Sequence, residues 1–208
     1  MKEITIAIPD GKKAVWAEDG KLTLVPDMEE TAQPKKDDRP ITERVQTFED
    51  ACRELSRRAE QGDDTAAGLL CDYDSNHANM LTPETVAFMQ LCIIAAAINE
   101  GWKPQFTEDE ERWYPWHYFY TKDELEKMND SEKDRRKMLL LWGGAANDGT
   151  AAGLGCAYSY AAFSSTSAYY GSRLACETEA KADFFGKQFI GIWCQFYTGK
   201  EGTPWRNS

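Results

Sequence analysis

The sequence predicts an α+β fold, and three observations carry that expectation. Segments of helical and of strand character follow one another without a repeating βαβ unit. Residues 82–101 hold a full set of helix start and stop signals. The run Trp113-Tyr114-Pro115-Trp116-His117-Tyr118-Phe119-Tyr120 has the aromatic composition of a strand, with its proline marking an edge or a bulge. At 208 residues, with seven Trp, nine Tyr and nine Phe, the chain can bury a sizeable core around these elements.

In chain order, Ile4, Ile6 and Ile8 alternate with polar or small residues before Pro9-Asp10-Gly11 breaks the run. Ala14 to Trp16 and Leu22 to Val25 follow across Glu18-Asp19-Gly20, so residues 1–25 read as a small antiparallel meander. Residues 26–46 are polar and rich in Pro, Lys and Asp, which predicts a linker. The main α+β domain is then 47–208. Thr47 opens a helix whose Phe48, Ala51, Cys52, Leu55 and Ala59 share a face and which Gly62 ends. Thr82 is the expected N-cap of a second helix, with Pro83 at its first position and Gly101 beyond its end. Its body from Val86 to Ile98 is apolar almost all round, as a central core helix is. The aromatic run from Trp113 reads as core, with a binding wall as the alternative. Thr121 caps a helix through Met128, Lys137 to Trp142 is a short strand, and Arg173 to Cys176 another. A single last helix from Glu177 to Phe196 is expected to bury Ala180, Phe184, Phe185, Phe189, Ile192 and Trp193.

A net charge of -11 argues against nucleic acid as a partner, because phosphate backbones are met by basic stripes. The best basic candidate, Lys133, Arg135, Arg136 and Lys137, is interleaved with Glu132 and Asp134 and reads as a solvated helix face. The longest apolar run, Leu91 to Ile98, is too short to span a bilayer, so no membrane insertion is expected. The opening Met-Lys-Glu-Ile-Thr-Ile lacks the layout of a signal peptide, and synthesis in a cytoplasm without one is the expectation.

From Gly143 to Cys176 the composition changes. The segment is built of Gly, Ala, Ser, Tyr, Thr, Asn, Asp, Phe, Leu, Cys and one Arg, and it has no Lys, Glu, Gln, Met or Trp, types that fill about three in ten of the other positions. Asp148 and Arg173 are its only charges. Tyr mixed with small polar residues is the chemistry of paratopes: amphipathic area at low entropic cost, with room for close approach. The anchors are Tyr158, Tyr160, Phe163, Tyr169 and Tyr170, with Ala145, Asn147, Asp148, Thr150, Ser164 and Thr166 completing the expected ligand-binding set. Tyr158 and Tyr160 share a face if the segment is a strand. A structural loop packed by its aromatics is the alternative.

The missing types have a codon-level counterpart. Mutagenesis directed to the adenines of AAC or AAT codons can never produce Lys, Glu, Gln, Met or Trp. In this the segment resembles the variable region of proteins diversified by diversity-generating retroelements, which bacteria and phages carry. The resemblance implies a C-type lectin-like fold, related to that of formylglycine-generating enzymes, that presents a variable surface for ligand binding. Gly171-Ser172-Arg173-Leu174 is similar to the Gly-Phe-Arg-Leu strand that closes such domains, with Ser172 in the place of the aromatic. A long helix after the variable segment departs from the usual layout. Asn99-Glu100-Gly101-Trp102, Tyr114-Pro115-Trp116 and Gly186-Lys187-Gln188-Phe189 also look like segments of proteins from gut bacteria and their phages, a likeness that brings no activity with it. These resemblances imply a protein or glycan receptor as partner and a virion-associated role. A structural or assembly protein, packing as a homo-oligomer through the same surface, is the alternative.

Catalytic patterns are sparse. The two histidines, His77 and His117, have no recognisable partner, and no nucleophile elbow, phosphate-binding loop or His-Glu-x-x-His is present. The acidic groups Glu108 to Glu111 and Asp72 with Asp74 could take a hard cation, but the EF-hand spacing and the Glu-Pro-Asn and Trp-Asn-Asp calcium motifs of sugar-binding lectins are missing. Neither a metal nor a cofactor is expected. The six cysteines are dispersed without a Cys-x-x-Cys pair and read as mostly buried thiols, a disulfide between distant members remaining open. The enzymatic relative of the implied fold needs paired reactive cysteines, for which Cys156 and Cys176 are the candidates; their spacing matches no motif, and the expectation is a binding protein rather than an enzyme.

Overall fold

A computed structural model of the chain describes residues 8, 12–16, 20–26, 37–76, 81–105, 107, 109–141, 151–163 and 172–207. The chain divides into two compact units, Met1–Asp38 and Arg39–Ser208. In the first, β1 (Lys12–Trp16) and β2 (Leu22–Pro26) pair antiparallel from Lys12 opposite Pro26 to Trp16 opposite Leu22. The expected strand from Ile4 falls largely outside the described residues. The division comes earlier than the polar composition suggested. Residues 26–46 are not linker throughout, since α1 (Ile41–Arg44) forms there and buries Ile41 and Val45 among the core helices. Two apolar residues four apart are enough to seat one helical turn.

The second unit mixes helices with a four-stranded antiparallel sheet, as the α+β expectation required. Helix α2 (Phe48–Glu60) starts at Thr47 with reciprocal capping: the Asp50 N–H donates to Thr47 Oγ1 and the Thr47 N–H donates to the Asp50 carboxylate. Helix α3 (Asp64–Asn76), absent from the sequence expectation, places Ala66, Leu69, Leu70 and Tyr73 on the core at helical spacing. Asp63 starts it by accepting from the N–H groups of Thr65 and Ala66. Helix α4 (Pro83–Ile98) is the central helix expected, capped by Thr82 and buried along Leu91 to Ala95 and at Ala97 and Ile98. α2 and α3 pack against it.

Strand β3 (Glu111–Tyr120) is followed by the short helices α5 (Lys122–Lys127) and α6 (Asp130–Arg135), then by β4 (Leu139–Leu140) and β5 (Gly153–Phe163). Arg173 to Cys176 does not form the expected strand: Ser172–Leu174 is a 3-10 turn, and a single bridge joins Cys176 to Trp113. The turn is fixed from below by Asn99, whose amide donates to the Ala175 carbonyl at 2.7 Å and whose oxygen accepts the Glu177 N–H at 3.0 Å.

The single last helix is two, α7 (Glu179–Gln188) and α8 (Ile190–Thr198), broken at Phe189 where ψ reaches 25°. The break re-aims the chain. α7 packs on β3 and β5, whereas α8 packs mainly on α4. The apolar repeat continues through the break, so periodicity alone could not reveal it. Of the residues expected to be buried, Phe185, Phe189 and Trp193 are, Phe184 and Ile192 are half-buried, and Ala180 faces solvent while Ala182 takes its place. β6 (Thr203–Pro204) completes the sheet in the order β3-β5-β4-β6. Among the described residues no helix is long and apolar enough to cross a membrane.

Candidate functional site

Strict alternation along β3 gives the sheet two unlike faces. Trp113, Pro115, His117 and Phe119 turn toward the helices: Trp113 joins the main core, Pro115 lies against Gly186 of α7, and His117 and Phe119 meet Tyr197 of α8. Trp116, Tyr118 and Tyr120 point the other way. β5 runs antiparallel beside them, with a bulge between the Trp116–Tyr158 and His117–Cys156 pairs. The extra residue switches the parity of β5. Leu154 and Cys156 therefore face the helices, Gly153 and Gly155 face outward, and past the bulge Ser159 faces the helices and Tyr158 faces outward.

The outward side is an aromatic shelf. Tyr158 stacks on Trp116 with centroids 6.2 Å apart and planes at 14°. It meets Tyr118 edge-on at 6.3 Å, and Tyr118 meets Tyr120 at 6.3 Å. Tyr118 is 45% and Tyr158 44% exposed, so two phenol rings held by neighbours stand open to solvent side by side. The α5–α6 layer covers the far end of this face. It comes close because β5 has glycine there: a Cβ on Gly153 would sit 3.0 Å from Leu125, and one on Gly155 would sit 3.0 Å from Met138 and 3.2 Å from Tyr120. Arg136 lies over the Tyr120 ring at 5.7 Å and pairs with Glu132 at 2.9 Å, closing the shelf on that side.

Behind the shelf His117, Ser159 and Asp183 are hydrogen-bonded within the fold. His117 Nε2 lies 3.1 Å from the Gly186 carbonyl, which only accepts, so Nε2 carries the proton and Nδ1 accepts from the Tyr197 hydroxyl at 3.2 Å. Burial lowers the pKa of this ring to about 4, against the smaller opposing effect of the Gly186 bond. His117 is thus a neutral structural link between sheet and helices. Ser159 donates to Asp183 at 2.8 Å and Lys187 donates to the same carboxylate at 2.7 Å. Burial opposes ionisation of Asp183, but Lys187 and Ser159 together hold its carboxyl below the ordinary value.

Of the residues expected to bind ligand, the structure brings Tyr158 onto the shelf. Tyr160 and Phe163 lie in β5, opposite Tyr114 and Glu111 in register. Ala145, Asn147, Asp148, Thr150, Ser164, Thr166, Tyr169 and Tyr170 lie outside the described residues. Part of the segment's unusual composition has a packing cause. Gly153, Leu154, Gly155 and Cys156 are buried in a central strand, Ala151 just before it, and Leu174, Ala175 and Cys176 beyond it, where a Lys, Glu or Gln would have no place.

Trp116 and Tyr118 were not singled out as binding residues, since the run containing them read as core. Its period of two held the signal: Pro115, His117 and Phe119 take one face and leave Trp116, Tyr118 and Tyr120 on the other.

Other candidates resolve differently. All six cysteines are free, and Cys156 and Cys176 are buried. Burial pushes the Cys156 thiol up to about 11 and the Cys176 thiol up to about 12, which keeps both protonated and poorly nucleophilic near neutral pH. In the basic cluster, Arg135 and Lys137 are exposed, but Lys133 lies over the Trp205 ring at 5.5 Å and Arg136 is held by Glu132. The cluster is thus a solvated face only in part. Among the described residues no group of three His, Cys, Asp or Glu side chains converges to hold a metal ion. No protein-family model, no curated protein and no solved structure matches this chain.

Proposed function

We propose that this protein binds a receptor, protein or glycan, through the outward face of the β3–β5 pair. The observation that carries the reading is the paired exposure of Tyr118 and Tyr158, each near 45%, on rings held in place by Trp116 and Tyr120. Rigid, amphipathic, half-open tyrosines offer stacking area and a hydroxyl at small entropic cost on binding. The predicted variable residues Ala145, Asn147, Asp148, Thr150, Ser164, Thr166, Tyr169 and Tyr170 flank β5 in sequence and belong to the same proposed ligand-binding set. A lectin-like scaffold diversified by a retroelement, made in a bacterial cytoplasm and acting on a virion, is the fuller form of the same reading. It rests on the missing residue types outside the buried part of β5.

The test is capture of the purified chain on a glycan array and on whole bacterial cells. Tyr118→Ala with Tyr158→Ala is expected to weaken capture at least tenfold while leaving the melting temperature nearly unchanged. Equal capture by the double variant refutes the assignment. The retroelement part is tested separately at the encoding locus, where a neighbouring reverse transcriptase and an adenine-rich near-repeat of the segment are expected.

The assembly reading keeps one observation of its own: β3 is an edge strand beside the exposed tyrosines. The Cys176–Trp113 bridge already occupies part of that edge, and Pro115 offers no N–H, which disfavours open-ended strand addition. If the same double variant converts an oligomer to a monomer in size-exclusion chromatography without altering capture, assembly is the function of the shelf.

A further inference from the structure

A second concave site lies apart from the shelf. A cavity of about 430 Å³ opens among α3, α4, the loop after Gly101 and the 3-10 turn, within the range of small-ligand sites. Leu69, Ala96, Trp102 and Pro104 make its apolar walls. Its charged lining is Arg58, Lys103 and Arg173 against a single carboxylate, Asp72, in a chain whose net charge is -11.

The three cations are not equivalent. Arg58 is spent on the fold: it donates to the Ala96 carbonyl at 2.7 Å and pairs with Asp63, whose carboxyl the Arg58 guanidinium holds below its ordinary value. Lys103 donates at 2.7 Å to the neutral Thr65 hydroxyl. Among the described residues neither Lys103 nor Arg173 forms an ion pair, although carboxylates are abundant on this chain. Two exposed cations that make no direct ion pair among the described residues, lining an apolar cavity whose one carboxylate is Asp72, favour a ligand that brings negative charge, and the arginine fork suits an oxyanion.

We infer that this cavity binds a small organic anion, an oxyanion group carried on an apolar body, with Arg173 and Lys103 taking the charge and Trp102 and Leu69 the body. Two such cations are too few for a nucleic-acid backbone, whose recognition needs a stripe. This site is independent of the tyrosine shelf, and either can fail without the other.

The probe is 1-anilinonaphthalene-8-sulfonate, an anionic aromatic whose fluorescence rises on leaving water, added to the full chain. One saturable site is expected, weakened by 0.5 M NaCl as screening requires. Arg173→Ala with Lys103→Ala is expected to weaken it at least tenfold with an unchanged circular dichroism spectrum. Lys103→Glu, a charge reversal at an exposed position, should abolish it. The uncharged N-phenyl-1-naphthylamine should bind weakly and equally to all these variants. The inference is overturned by absence of a saturable site, by equal affinity in the Arg173 and Lys103 variants, or by loss of the site in Tyr118→Ala with Tyr158→Ala, which would move the probe to the shelf.

Discussion

Acidification should expose the role of His117, and the magnitude follows from its surroundings. The ring is neutral in the fold, donating to Gly186 and accepting from Tyr197, and its pKa falls from 6.5 to about 4 through burial. Above pH 6.5 the ring is neutral in both folded and unfolded chains, and its contribution is fully present. Between that value and about 4 the unfolded chain takes up a proton that the folded chain refuses, so stability falls as pH falls. The full gap corresponds to about 3 kcal/mol, of which about 2 kcal/mol is lost between pH 7 and pH 5. Urea unfolding followed by tryptophan fluorescence measures it directly, since Trp193 lies 5.1 Å from the imidazole. His117→Gln removes the titration while an amide can still donate to Gly186. The variant starts less stable at pH 7, but its loss on going to pH 5 should be smaller than that of the parent chain by about 2 kcal/mol. Carboxylates titrate alike in both proteins and cancel in the comparison. Equal losses would refute the assignment of His117 as a buried neutral link.

Three further substitutions probe the packing behind the shelf and the 3-10 turn. Gly186→Ala places a Cβ 2.5 Å from the Pro115 Cβ and 3.0 Å from Cys156 Sγ, whereas Gly191→Ala meets nothing within 4 Å. Helix propensity favours both equally, so thermal melts should show Gly186→Ala destabilised by about 1–3 kcal/mol and Gly191→Ala stabilised by up to about 1 kcal/mol. Asn99→Ala strips the Ala175 carbonyl and the Glu177 N–H of their buried partner, which should cost about 2–4 kcal/mol in chemical denaturation. A cost under about 0.5 kcal/mol would mean that the 3-10 turn is held by other contacts.

The elements legible in the sequence are those whose signals are local. Thr47, Thr82 and Thr121 each accept from an N–H three residues on, as their positions before apolar helices announced. The aromatic run of β3 and its proline-marked irregularity were legible for the same reason. Elements that depend on partners distant in sequence were not. α3 has at least as many apolar residues as α2, but they are less cleanly segregated from its polar positions, and packing by α2 and α4 completes it. The 3-10 turn replaces an expected strand because Asn99, more than seventy positions away, satisfies the backbone that a strand would have paired.

The shelf divides along the same line. The Tyr/Ser/Ala/Gly composition of β5 points to Tyr158 as a candidate contact residue. Only pairing with β3 adds Trp116 and Tyr118, and only the bulge at Trp116/His117 decides that Tyr158 faces outward while Leu154 and Cys156 face the helices. Composition and caps act over a few residues and can be read along the chain. Which face of a strand meets solvent is set by the layer packed against the other face, here α7 and α8, and that is decided only when the chain has folded.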